Sequence, residues 1–387
     1  MLRIAILTID GYTNYGNRLQ NFALQEALRS LGCDVETVQN SPEPSGMWSL
    51  DRIVDAAVKA TSSSPSQLAG AVTARLSRRS SNSPLPAVIE QRAAAFEGFS
   101  SSKIAYSAAF SLSRSSSRST QVSLSEAFDH FVVGSDQVWN PFQRHGAASD
   151  FLRFAAADKR TAYAASFGVD TIPDRYRARY AKWLGEIPNI SVREEKGAEL
   201  VKDLTGGNAP VVLDPTLLLN AGDWSELATP AAGKPNRPYL LTYFLGHNSP
   251  ERQEIARRLA RERDLEIVSL NSVEDLSAFV AGPREFVDYI STADYVLTDS
   301  FHGAVFSILY RRSFTVFARE GGGPSMTSRL QSLLARFGLD KQMHSQGAAL
   351  VESPDYAAVE EVLTEARSYA FAFLQSSIDS TLGNSPR

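Results

Sequence analysis

The sequence predicts an α/β protein made of two Rossmann-like domains that face one another across a cleft. Its 387 residues exceed what a single core usually supports. Short apolar runs alternate with amphipathic helical stretches through most of the chain, the pattern of strands and crossover helices in parallel sheets. A boundary between two such halves is expected near 186–235. The expected division is 1–188, 189–350, and a C-terminal helix and tail over 351–387.

Residues 2–9 form an apolar run suited to a central parallel strand, followed by a polar turn over 10–17, a helix over 18–31 and a strand over 34–38. From 41 to about 120 the pattern loosens into serine-rich SSSPS, SRRSSNSP and SLSRSSSRS, with helical stretches near 50–60, 67–79 and 88–101. This reads as an insertion with mobile loops. Arg75, Arg78, Arg79, Arg114 and Arg118 punctuate it. A solvated linker and a contact surface for an anionic acceptor or membrane are competing readings of those arginines.

Order returns with strands at His130–Val133 and Thr161–Ser166, a helix over 173–185, a strand at Asn189–Val192, a helix over Glu194–Leu204 and a strand at Val211–Leu213. The second half repeats this order. Strands are expected at Tyr239–Tyr243, Glu266–Ser269, Tyr295–Leu297 and Phe314–Phe317, with helices at Pro250–Arg263, Pro283–Thr292 and 303–311 and a last helix over 354–375.

Hydrophobic residues make up 43% and charged residues 21%, which describes a folded globular chain. A formal charge of −4 gives no global attraction to nucleic acid or an anionic membrane. The single cysteine, Cys33, cannot form an intramolecular disulfide and suits a buried helix-to-strand connection. No run of 18 apolar residues is present, so no transmembrane segment is expected. MLRIAILTID enters a strand after one basic residue and does not read as a secretory signal, which makes the cytoplasm the expected compartment. Without a Cys/His cluster or HExxH pattern, no metal is expected.

Five places carry candidate chemistry. His302 sits in DSFHG, where a strand gives way to a helix, a corner at which ligands meet free backbone N–H groups. Its imidazole can exchange protons near neutral pH, and a satisfied structural histidine is the competing reading. GSDQVWNP at 134–141 gathers Asp136, Gln137 and Trp139 beyond a buried strand. This is a sugar-binding mixture of acid, amide and indole, or a hydrogen-bonded loop. Asp136 could deprotonate or orient a hydroxyl. Asn17 and Arg18 project from the start of the first helix after Gly16, fit for a phosphate or sugar hydroxyl, with helix capping as the alternative. Arg193 follows a strand end and offers a planar fork to carboxylate or phosphate, in competition with salt bridges to Glu194, Glu195 or Asp214. Arg329 opens a helix after a glycine loop, where it would close over an anion or make a surface salt bridge.

NYGNRLQNFALQEAL at 14–28, FVVGSDQVWNP at 131–141, AASFG at 164–168, ISVREEKG at 190–197, VLDPTLLL at 212–219 and DSFHGAVFSILYRRSF at 299–314 together resemble the polysaccharide pyruvyl transferase family. The resemblance leaves 41–120 uncovered. It implies a GT-B-like fold and transfer of a pyruvyl group from phosphoenolpyruvate, as co-substrate, to hydroxyls of a sugar or glycan precursor, forming a ketal. The acceptor could be lipid-linked. No further cofactor and no nucleic-acid partner are implied. His302 and Asp136 would be catalytic. Arg193, Ser300, Gly303 and Arg329 would bind the donor, and Asn17, Arg18, Gln137 and Trp139 the acceptor. Ser300 departs from the Arg-x-His arrangement of many family members, so Arg193, Arg329 or Arg18 would supply the donor's cation, or a Ser-x-His branch would use a different donor or acceptor. A nucleotide-sugar glycosyltransferase and a catalytically silent glycan-binding protein are the alternatives.

Overall fold

A computed structural model describes residues 1–9, 13–41, 85–113, 116–320, 324–345 and 353–383. The stretches expected as helices near 50–60 and 67–79, and Arg75, Arg78, Arg79 and Arg114, lie outside the described residues. Two wholly parallel sheets carry the fold. The first has six strands: β1 Arg3–Leu7, β2 Asp34–Ser41, β3 Tyr106–Ser113, β4 His130–Val133, β5 Arg160–Ala165 and β6 Asn189–Val192. Their order is β3-β2-β1-β4-β5-β6. The four apolar residues Ile4–Leu7 of β1 are buried, as a central parallel strand covered on both faces requires.

Two expectations change here. Asn189–Val192, placed by its sequence position in the second half, is the edge strand of the first sheet, paired with β5. Alternation alone cannot say which sheet a strand joins, because every parallel strand is reached by a crossover. The serine-rich stretch is also not wholly an insertion. Leu85–Lys103 is a helix, and Tyr106–Ser113 completes the other edge of the sheet beside β2. Its half-exposed, alanine- and serine-rich composition hides an edge strand from a search for buried apolar runs.

The second sheet has four strands: β7 Tyr239–Tyr243, β8 Glu266–Leu270, β9 Tyr295–Thr298 and β10 Ser313–Val316, in the order β10-β9-β7-β8. Val211, expected in a strand, makes only an isolated bridge to Val192. The result is the expected pair of α/β halves, each built on its own parallel sheet.

One continuous apolar core joins the halves, running from Ile4, Leu19 and Leu24 to Leu241, Phe286 and Phe306. Tyr15, at the start of the first helix, stacks on Phe286 of the second half at 4.3 Å and donates to Ala281 O at 2.9 Å. Arg92, from the helix Leu85–Lys103, donates to Tyr15 Oη at 3.0 Å and to Phe279 O at 2.5 Å. The last helix, Tyr356–Gly383, begins against the second half, where Glu360 pairs with Arg311, and ends on the first, where Phe373 meets Tyr163 and Ser380 meets Asn189. Cys33 is buried in the shared core. Among the described residues no helix is long and apolar enough to cross a membrane.

Candidate active site

The helix Tyr15–Ser30 begins with a polar face that serves the first sheet's carboxyl edge. Asn14 caps it by accepting from Asn17 N. Asn17 Nδ2 donates to Asp136 Oδ2 at 2.7 Å, and Gln20 Oε1 accepts from Ser135 N at 2.9 Å. Residues 14, 17 and 20 share one helical face, so a single element fixes the GSDQ loop. Asp136 itself has φ +61°, a left-handed backbone that aspartate tolerates better than most residues.

Arg193, expected to offer its fork to a substrate, is instead occupied and almost wholly buried. Its guanidinium pairs with Asp214 Oδ2 at 2.9 Å and Asp136 Oδ1 at 3.4 Å, and lies 4.4 Å over the Phe301 ring. Glu194 Oε2 lies 3.7 Å away, and its other oxygen accepts from Ser166 Oγ at 2.6 Å. Burial alone would ease the proton off Arg193; the surrounding carboxylates Asp136, Asp214 and Glu194 outweigh it and hold the charge. Of the salt bridges open to Arg193, those to Asp214 and Glu194 both form, Asp214 being the shorter.

Asp214 is the hub of the cluster. Its Oδ1 accepts from Thr216 N at 3.0 Å and Thr216 Oγ1 at 2.7 Å, while Oδ2 accepts from Ser135 Oγ at 3.2 Å. His302 Nε2 lies 3.7 Å from Oδ1, an ion-pair distance longer than a hydrogen bond. Burial pushes the Asp214 carboxyl up, but His302, Arg193 and Thr216 together hold it well below the usual carboxylate range. It therefore stands as a fixed anion between imidazole and guanidinium.

His302 arrives from the second sheet. It is the second residue of the helix Phe301–Leu309, which begins two residues earlier than the expected 303–311. Ser300 is that helix's N-cap, accepting from Gly303 N at 3.3 Å, and its own N–H donates to Thr298 Oγ1 at 3.0 Å. A Cβ on Gly303 would stand 2.4 Å from Thr298 Oγ1, so this glycine lets the helix pack on β9. Both residues, expected to bind the donor, are thus engaged in forming the corner. A Cβ on Gly16 would lie 2.0 Å from His302 Nδ1. The first helix's backbone therefore walls one face of the imidazole, a close approach that only glycine permits.

Trp139 requires a correction. It is fully buried, donates from Nε1 to Asp150 O at 2.8 Å and stacks on Phe151 at 5.7 Å. With no exposed face it cannot serve as a sugar platform; the first half's core claimed the indole. Gln137, half-buried, accepts from Asn140 Nδ2 at 2.8 Å and braces the turn. Arg18 is buried beside Asn17 at the start of the first helix.

Arg329, on the helix Pro324–Arg336, is buried near Arg193, Glu194, Asp136 and Arg319. Burial and the like charge of Arg193 push it down to about 10. Arg319 donates to Asp299 O at 3.2 Å. Asp299 accepts from Leu245 N at 2.6 Å, Gly246 N at 3.0 Å and Arg252 Nη1 at 3.2 Å, so it ties the ends of β7 and β9 together.

The structure thus gathers Asn17, Asp136, Arg193, His302 and Arg329 around one polar junction between the sheets. Sequence reasoning missed Phe301, Thr216, Arg319 and the central role of Asp214. The signal for Asp214 was available in Asp-Pro-Thr, an N-cap followed by a helix-starting proline, but a cap reads as local structure.

Chains of known structure with some likeness include the UDP-GlcNAc 2-epimerase from Neisseria meningitidis bound to UDP-GlcNAc, at 10% identity over 97% of this chain and 94% of that one, with TM-score 0.45. The S. aureus MnaA–UDP co-structure shares 10% identity over 94% of this chain and 88% of that one, with TM-score 0.44. E. coli ADP-heptose lps heptosyltransferase II shares 13% over 95% and 99%, with TM-score 0.38. No curated protein matches the sequence. The profile described as "Polysaccharide pyruvyl transferase" matches residues 14–321, a span that contains Asn17, Asp136, Arg193, Asp214 and His302. The chain therefore belongs to the polysaccharide pyruvyl transferase family.

Proposed function

We propose that this protein transfers the pyruvyl group of phosphoenolpyruvate to two hydroxyls of a sugar in a glycan or glycan precursor, with His302 as the general acid and base. The carrying observation is the His302–Asp214–Arg193 array, in which a buried anion lies between an imidazole from one half and a guanidinium from the other. In the reaction the enol carbon takes a proton from His302 and becomes a methyl group, leaving a cationic centre at the adjacent carbon. One acceptor hydroxyl adds there, phosphate departs with the enol oxygen, and the second hydroxyl closes the ketal. The hydroxyl protons leave through His302 and Asp136.

Asp214, 3.7 Å from Nε2, places a fixed negative charge beside the imidazole, the position of an orienting carboxylate. Arg193, already paired, fixes Asp136 and Asp214 and supplies positive potential to the donor carboxylate. Arg329 is the cation for the donor's phosphate: burial and Arg193 destabilise its charge, and an arriving anion relieves both. It thereby replaces the cation that Ser300 does not provide. Asn17, Arg18 and Gln137 border the acceptor side.

The test is phosphate release from phosphoenolpyruvate in the presence of a panel of glycan acceptors, with ketal detected as a mass gain on the acceptor. His302→Ala should abolish both while keeping the native melting profile. Stabilisation by a nucleotide-sugar, without any effect of phosphoenolpyruvate, would overturn the reading in favour of glycosyl transfer.

A further inference from the structure

A pocket of about 300 Å³ opens on the first half, its lining sharing no residue with the cluster around His302. Its walls include Ser113 at the end of β3, Ser149 and Arg153 of the long loop after β4, and Arg179 and Trp183 of the helix Asp174–Leu184. Among the described residues none that lines it is acidic.

Three features make this more than a surface dent. Arg179 stacks over Tyr176 at 5.0 Å and lies 5.7 Å from the Trp183 ring, and it has no ion-pair or hydrogen-bond partner among the described residues. Arg153 lies 5.4 Å over the same indole, and its carboxylate partner Glu186, at 3.3 Å, is shared with Arg160 at 3.5 Å. Two guanidinium groups therefore divide one carboxylate while, among the described residues, a third has none. The pocket holds excess positive charge against a half-buried indole, with Ser113 and Ser149 also in its walls. An indole face suits the apolar face of a sugar ring, and a guanidinium already held by stacking binds an oxyanion at reduced entropic cost.

The location relates the pocket to the active site. In a parallel sheet Ser113 and Val133 both mark carboxyl ends, and β3 stands three strands from β4. At the usual strand spacing this is roughly 14 Å along the same edge, a span for a short oligosaccharide rather than one sugar.

We propose that this pocket is a distal acceptor subsite for an anionic saccharide unit, its carboxylate or phosphate held by Arg179 and its ring lying on Trp183. The proposal rests on the reading of the protein as a transferase acting on glycans, and it specifies that the acceptor is extended and acidic.

Binding of glucuronic acid, glucose 1-phosphate and glucose to the full chain, followed by titration calorimetry, tests it without turnover. At least one anionic probe should bind saturably and glucose should not. Preference between the two identifies the acceptor's charge as carboxylate or phosphate. Arg179→Gln should weaken that binding about tenfold or more, the effect of one lost charge-assisted hydrogen bond, while His302→Ala leaves it unchanged. Binding of neither anion, equal binding of glucose, or unaltered binding by Arg179→Gln overturns the proposal. If Arg179→Gln loses binding while His302→Ala keeps full turnover, the subsite stands and the assignment of His302 falls.

Discussion

His302 Nε2 and Asp214 Oδ1 lie 3.7 Å apart although the two residues come from different sheets. Asp214 follows the bridge that extends the first sheet past β6, and His302 heads the helix after β9. Asp214→Asn should lower turnover at least a hundredfold and stability by about 3 kcal/mol, the lower range for breaking one side of a buried pair. The native carboxyl is held below its unfolded value. Its contribution is therefore complete above the ordinary carboxylate pKa of about 4 and fades as pH falls below it. Urea melts of both proteins at pH 7 and pH 3 should show the difference between them shrinking in acid.

Gly16→Ala should damage activity more than folding. The new methyl would overlap His302 Nδ1, and the imidazole would have to rotate out of line with Asp214. We expect a loss of a hundredfold or more in kcat, against a stability cost of about 1–3 kcal/mol for a small overpacked group. Comparing kcat with the urea midpoint separates the two effects.

Ser300→Ala removes a helix cap, which costs about 1 kcal/mol. If capping is its whole contribution, the donor KM stays within about twofold and only the melting temperature moves. An increase in KM of tenfold or more would place the hydroxyl on the donor.

Arg329→Met removes a charge that burial already disfavours. Thermal stability should hold or rise, while the KM for phosphoenolpyruvate rises at least tenfold, a trade between activity and stability. A drop in melting temperature with unchanged KM would make Arg329 structural.

His130 is buried in β4 with Nε2 2.9 Å from Thr161 Oγ1, and burial pushes it down to about 4. Its unfolded form takes up a proton near pH 6.5, so stability is whole above that pH and falls as pH drops toward 4, by about 3 kcal/mol across the window. His130→Gln should flatten this part of the stability–pH curve measured by denaturant unfolding.

Outside the serine-rich stretch and the strand expected at Val211–Leu213, the sequence by itself determined the strands and helices, that two parallel α/β halves follow one another, and that His302 stands at a strand-to-helix corner. These are local matters, set by apolar periodicity and by turn residues at the ends of elements. Tertiary structure decided which sheet took Asn189–Val192 and that Tyr106–Ser113 closes the other edge, since pairing partners are chosen by packing across long separations. It also decided the fate of single side chains. Trp139 went to the core, Ser300 to a helix cap and Arg193 to Asp214, because a buried polar or charged group must find its partner wherever the fold supplies one. Gly16 and His302 are 286 positions apart in the chain. Only the meeting of the first helix with the second sheet shows why a glycine stands opposite that imidazole.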